Sequence, residues 1–243
     1  MNLFSFKATQ GNIVWIEPNK IVVNGRERTA DEIPSEGQLT AALNSIPPGP
    51  TKWILDDALT PSALVKDIME VPRGSEARDA FFRWKFGQVL AVDGQYSVQG
   101  VPLGEHGWLL AGMPLDLQDA WTNLAAKLGR HVHAMVPRWL WLYNRVAATR
   151  EMPGMLLSLC HSGNGEYTGS IVSWWKTLTL VRQWSDAAPA GSWISDRIEP
   201  TIAFLQRDGK TPMELLVWGP DDWPKCPLPH KVFQPAIASQ EAV

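Results

Sequence analysis

Cysteine is nearly missing, with two in 243 residues, Cys160 and Cys226. Two thiols cannot build a disulfide framework or a four-ligand zinc site, which excludes the stapled secreted scaffold and the structural zinc module. Long apolar runs are missing too. The longest candidate, residues 155–160, is strand-sized, well short of the ~18 residues of a membrane-spanning helix. The opening Met1-Asn2-Leu3-Phe4-Ser5-Phe6-Lys7 has no charged stretch followed by a long apolar one, so no secretory signal is read there. Charge of one sign is lacking as well. With 22 basic and 25 acidic residues the net charge is −3, and no dense Lys/Arg stripe occurs, which argues against a nucleic-acid partner. Few cysteines and no export signal predict a reducing compartment.

What is present is core-forming material. Hydrophobic residues make up 45% and charged residues 19%, enough apolar content for a packed interior. The length suits one large domain or two small ones. Thirteen tryptophans stand out. Trp15, Trp53, Trp108, Trp139, Trp174, Trp175 and Trp218 lie in apolar segments and read as core filling. A stacking platform for sugars or bases would need polar partners nearby, and none repeat.

Turn residues and periodicity divide the chain into three parts. At the start, residues 2–9, 12–16 and 20–23 read as short strands, with Glu17-Pro18-Asn19 and Asn24-Gly25 as turns. A helix over 36–46 and a buried strand over 52–55, ending in Asp56-Asp57, follow. In the middle, Thr60-Pro61 predicts a helix start, with Thr as N-cap and Pro in the first turn, running to residue 70. A second helix opens at Ser75, with Ala77, Phe81, Trp84 and Val89 as its apolar positions. Extended segments at 96–101 and 108–112, a helix over 115–128 stopped by Gly129, a strand over 131–136 and a helix over 137–149 complete this part. The last third reads as strands at 155–160, 167–175 and 176–184, a loop at 185–189, a helix over 191–207 broken at Pro200, and a strand over 213–218.

The opening and closing thirds therefore share one element order, βββ-α-β. That is the core of the ribonuclease H-like fold, and two such cores in one chain make the actin-like plan. The expected fold class is α/β, with two ribonuclease H-like cores in an actin-like arrangement. The expected parts are a first core over 1–57, an inserted α/β region over 58–150, a second core over 151–220 and a Pro-rich, loosely held tail over 221–243.

The middle section narrows this. Trp53-Ile54-Leu55-Asp56-Asp57-Ala58-Leu59-Thr60, then Met69-Glu70-Val71-Pro72, the helix from Ala77 to Leu90 with its Arg83-Trp84 pair, and Tyr96-Ser97-Val98-Gln99-Gly100 follow one another. This succession resembles the PilM family of type IV pilus assembly proteins and the cytoplasmic domain of the L component of type II secretion systems. Residues 155–184 resemble their second three-strand unit, which ends in an Arg, here Arg182. The resemblance spans about residues 50–220 and lies in pattern, without a specific signature. It implies a cytoplasmic scaffold, not an enzyme, peripheral to the inner membrane. Its partners would be a secretion or pilus-assembly ATPase and inner-membrane assembly proteins. Proteins of this type can lead on to a membrane anchor. None is read here, so membrane contact would run through partners or a missing anchor.

The nucleotide seat of such folds is expected to be degraded. Pro18 removes an N–H from the first hairpin turn, where a row of donors would hold phosphate. The second turn, around Gly163, Asn164 and Gly165, has no carboxylate at its strand end, and the adenosine-side Gly-Gly is reduced to Gly219-Pro220. These are degenerate phosphate-loop positions, so no cofactor is expected. The alternative is an active ATP-binding relative. A ribonuclease H-like hydrolase is disfavoured because residues 3–9 carry no acid.

Other candidates reduce to structural roles. Asp56-Asp57 reads as turn and helix-capping acids ahead of Thr60-Pro61. His131 and His133 share one side of a strand without a third metal ligand. Cys160 and His161 are adjacent on a strand and point to opposite faces, the wrong geometry for a nucleophile and its base. No Gly-x-Ser-x-Gly elbow, P-loop or His-Glu-x-x-His occurs. No catalytic or metal residues are assigned. The candidate partner surface is the second helix, through Arg78, Phe82, Arg83 and Lys85, with Phe81 and Trp84 beside them.

Overall fold

The computed structural model describes residues 11–66, 68, 70–104, 107–147, 152–163, 166–189, 194–219 and 230–232. Contacts divide the chain between Pro137 and Arg138 into two units. In the first, β1 (Asn12–Glu17), β2 (Lys20–Val23) and β3 (Arg26–Thr29) precede α1 (Glu36–Leu43) and β4 (Gly49–Leu55). Next come β5 (Ser62–Val65), α2 (Ser75–Leu90), β6 (Tyr96–Leu103) and β7 (Gly107–Pro114), then α3 (Leu115–Lys127) and β8 (Arg130–Pro137).

The main sheet of this unit has the order β3-β2-β1-β4-β8. The pairs β1–β2 and β2–β3 are antiparallel, and β1–β4 and β4–β8 are parallel. That is the ribonuclease H-like topology. Val14, Trp15 and Ile16 are buried in succession because β1 is central and covered on both faces. Edge strand β3, Arg-Glu-Arg-Thr, is exposed throughout, and its charge blunts the open edge. Ser35 and Gln38 form a capping box on α1, whose Leu39, Ala42 and Leu43 pack with Trp121, Leu124 and Ala125 of α3 around Trp53.

Expected strand 2–9 lies outside the described residues, and the third strand of the set is β3 at 26–29. Asn24-Gly25 does not end the strands but turns them. Asn24 (φ 46°) and Gly25 (φ 80°) both take the positive φ of a two-residue hairpin. The polar composition of β3 hid it from a reading based on apolar alternation. The Asn24 amide also accepts from the Ile13 N–H (3.2 Å) and donates to the Asn12 side chain (3.0 Å). Asn24→Ala loses both bonds and the residue tolerant of this φ. Urea denaturation should show it about 1–2 kcal/mol less stable.

The helix expected from Thr60-Pro61 is absent; Ser62–Val65 is strand β5, paired antiparallel with β7. The Thr60 hydroxyl donates back to the Asp56 carbonyl (2.9 Å), so it caps no helix. The Pro61 carbonyl accepts from the Gly112 N–H (3.0 Å), drawing the chain into a sheet of order β5-β7-β6. Helix α2 covers that sheet through Phe82 and Phe86; of the expected apolar positions Phe81 packs against this core half-buried, while Ala77, Trp84 and Val89 are exposed. Its rings lie on two glycines: a Cβ on Gly100 would stand 2.6 Å from the Phe82 ring, and one on Gly112 2.6 Å from Phe86. Trp84 (53%) and Val89 (49%) are left exposed.

The expected boundaries shift accordingly. Only β5 to β7 form an insertion. Strand β8 returns to the main sheet beside β4, and the division falls after Pro137, not after residue 150. The alternating His131 and His133 gave β8 no sign of belonging to the first core.

The second unit contains α4 (Arg138–Ala147), β9 (Gly154–Gly163), β10 (Glu166–Trp175), β11 (Thr177–Pro189), one π-helical turn (Ile194–Ile198), α5 (Glu199–Arg207), β12 (Glu214–Trp218) and β13 (His230–Val232). Its sheet order is β11-β10-β9-β12-β13, again two antiparallel and two parallel pairs. The same topology therefore occurs twice. Three expectations change. Residues 185–189 belong to β11, held by pairing of Pro189 with Glu166. Pro200 lies in the first turn of α5, where no helical donor is lost, so it starts rather than breaks that helix. Part of the expected tail, His230–Val232, is the fifth strand, parallel to β12; residues 220–229 and 233–243 lie outside the described ones.

Met155, Leu157, Leu159, Ile171, Ile202, Leu205, Leu215 and Val217 form the core between this sheet and α5. From α4, Tyr143 meets Trp174 edge-on at 6.0 Å. Burial pushes the Tyr143 phenol up from 10.0 to about 12. Its pKa in the folded chain lies above its unfolded value, so its contribution is full below about pH 10 and is lost as the pH rises toward 12. Tyr143→Phe should lessen the fall in melting temperature between about pH 10 and 12 relative to the parent. Among the described residues no helix is long and apolar enough to cross a membrane.

Candidate functional site

In each core the turn joining the first two strands is where an anion could be held by backbone donors. In the first core, Glu17 and Lys20 are paired across Pro18-Asn19, with Asn19 at φ 63°. Pro18 brings no N–H, and the Asn19 carbonyl is engaged by the Ala30 N–H at 2.9 Å. The strand end carries Glu17, 6% exposed. Its carboxylate accepts from the Trp15 indole N–H (2.5 Å) and pairs with Lys20 (3.2 Å). Lys20 also reaches Glu27 at 3.7 Å. A phosphate here would meet a buried carboxylate whose local cation is already paired. The ion pair was not foreseen in the sequence, although its two residues flank a two-residue turn.

In the second core, Gly163 closes β9 opposite Glu166, while Asn164 and Gly165 lie outside the described residues. Gly219 follows β12 where a Cβ would stand 3.0 Å from Leu159 Cβ, so close packing against β9 accounts for that glycine. The structure thus places Gly163 and Gly219 at strand ends.

Asp56 and Asp57 are buried just past β4. Asp56 accepts from the Ala58 N–H (2.8 Å), while its own N–H bonds to Ile16. The Asp56 carboxylate thus holds a turn, and the helix both acids were expected to cap does not form. His131 and His133 are both exposed on β8. Among the described residues no three His, Cys, Asp or Glu side chains group closely enough to share a metal ion. Cys160 is buried and His161 exposed, its ring 5.0 Å from Tyr167, so the adjacent pair does point apart. Arg182 donates to Thr201 Oγ1 at 3.0 Å and lies over Phe204. Sequence reading passed over Arg138, fully buried at the start of α4. It donates to Ser158 Oγ (2.8 Å) and stacks on Trp218 at 5.0 Å.

The expected partner helix is present, with its residues redistributed. Arg78 and Arg83 are exposed and Lys85 is half-buried. Phe82 is not available to a partner: at 3% exposure it packs on Trp108 (5.0 Å) and over Gly100. Trp84 takes its place at the surface, 6.0 Å from the Phe81 ring, with Lys85 Nζ 4.7 Å over the indole.

No protein-family model and no curated sequence matches this chain. Solved structures do. The cytoplasmic domain of EpsL, an inner membrane component of the type II secretion system of Vibrio cholerae, superposes with a TM-score of 0.54. The match is 14% identical and covers 93% of this chain and 89% of that one. A chain of the PilM-PilN type IV pilus biogenesis complex superposes with a TM-score of 0.56 at 12% identity, over 87% of this chain and 81% of that one. The likeness is one of fold, and these two structures are the ones the sequence pattern resembles.

Proposed function

We propose that this chain is a cytoplasmic, actin-like scaffold of type IV pilus or type II secretion assembly. It works at the inner membrane, links an assembly ATPase to inner-membrane components, catalyses no reaction and does not hold nucleotide. The observation that carries this reading is the shared fold, over most of the chain, with one protein from each kind of system. The first hairpin adds a physical reason. Its turn presents the buried Glu17 carboxylate, which repels phosphate, in place of a cradle of N–H groups. With no seat for a charged cofactor there, the exposed surfaces of the fold are what a partner can use.

Co-purification tests it. The chain is tagged at its own locus, the inner membrane is solubilised after mild cross-linking, and the recovered proteins are identified by mass spectrometry. A pilus or secretion ATPase and at least one inner-membrane assembly protein are expected. Recovery of the chain alone, or with partners from neither system, would overturn the proposal.

A further inference from the structure

Helix α2 is divided lengthwise by charge. Successive residues turn by about 100°. With Phe82 and Phe86 directed into the β5-β7-β6 sheet, one flank of the helix carries Arg78, Lys85 and Val89, with Phe81 further round it and Trp84 on the outward face. The other carries Glu76, Asp79 and Arg83. Both of the helix's carboxylates thus fall on one side, beside Arg83, while the opposite flank carries two cations and no carboxylate and leads round to the aromatic outward face. Val89 on this flank and Trp84 on the outward face are about half exposed, the Phe81 and Trp84 rings adjoin, and Lys85, held over the Trp84 indole, bridges the two. Exposed aromatic groups beside an arginine are the composition of an interface centre.

We propose that this flank docks an acidic segment of a partner protein. The segment carries carboxylates for Arg78 and Lys85 and a large apolar side chain that covers Trp84 and Phe81. Arg78 and Lys85 lie seven residues apart, two helical turns, so the two carboxylates they receive stand about 10 Å apart. A second copy of the chain is the wrong occupant, because a twofold contact would set the two cationic flanks against each other. An anionic membrane is the wrong occupant too. A helix that lies on a bilayer buries its apolar face there, and the face of α2 bearing Phe82 and Phe86 is already spent on its own sheet. Two cations on one flank are also few for attraction to a leaflet. The proposal rests on the assembly reading above only for where the partner is sought.

The test uses the full chain in its source cells, with a benzophenone amino acid at position 89, or at position 76 on the opposite flank as the control. The cross-linked peptide is sequenced. Cross-linking from position 89 to a carboxylate-rich segment is expected. The double variant Arg78→Glu, Lys85→Glu should lower the yield roughly tenfold or more, as should Trp84→Ala. Unchanged melting temperatures of these surface variants separate lost docking from lost folding. No adduct from position 89 overturns the proposal, as do equal yields from position 76, a second copy of this chain in the adduct, or a segment without carboxylates. Flotation with phosphatidylglycerol vesicles that the double variant abolishes overturns it in favour of a membrane. An acidic partner segment from a protein of neither assembly leaves the docking site standing and removes the functional reading instead.

Discussion

Trp53→Ala should destabilise the first unit by about 3–5 kcal/mol, the range for a large aromatic removed from a packed core. Trp53 is fully buried on central strand β4, with its ring 5.8 Å from that of Trp121 on α3. Its indole N–H donates to Thr51 Oγ1 at 2.9 Å, and the Thr51 hydroxyl in turn donates to the His131 carbonyl at 3.3 Å on β8. One side chain therefore joins the helix layer to the strand pair that closes the sheet. Truncation leaves a cavity that the surrounding side chains refill only in part. Trp53→Phe keeps part of the volume and should cost less. Urea denaturation followed by far-UV circular dichroism measures both. A loss under about 1 kcal/mol for the alanine variant would show that this packing is not what holds the sheet to its helices.

Gly169→Val should have the largest effect in the second unit, about 3 kcal/mol or more, at the upper end of overpacking penalties. Gly169 sits on β10 beside a register shift against β11, between Leu159 and Trp184 of the flanking strands. A Cβ there would collide with the Ser158 carbonyl and stand 2.8 Å from Leu159 Cδ2 and 3.2 Å from Trp184 Cζ2. The first of these atoms is backbone in a central strand and cannot move without opening the β9–β10 ladder. Gly169→Ala should already destabilise. Hydrogen exchange of the β9 and β10 amides reads the effect locally; unchanged protection would contradict the close approach.

These cases show what the sequence could display. The doubled element order was legible because strands such as β1, β4 and β9 are short apolar runs bounded by turn residues. The charged edge strand β3 was not, since every residue in it is exposed and nothing in its composition marks a strand. Strand β5 was misread because Thr60-Pro61 is a sound local start signal that tertiary pairing with β7 overrode. The face of α2 was misassigned for a similar reason. What decides it is Gly100 and Gly112 on other strands, which make room for Phe82 and Phe86. Of the candidate site, the lost N–H at Pro18 could be read directly. The Glu17–Lys20 pair spans a single turn, but nothing local shows that the Glu17 carboxylate is buried; outside the site, the bond from buried Arg130 to the Ile46 carbonyl depends on a chain crossing with no local signature.

On the proposed reading, a chain with this doubled topology serves by assembly, and the turn beside Glu17 holds no phosphate. Calorimetric titration of the full chain with Mg-ATP, repeated as a thermal melt, tests it most directly. The expected result is no saturable heat and no rise in melting temperature, because only a ligand that binds the folded state raises stability. Saturation at micromolar nucleotide with a matching rise in melting temperature would contradict it.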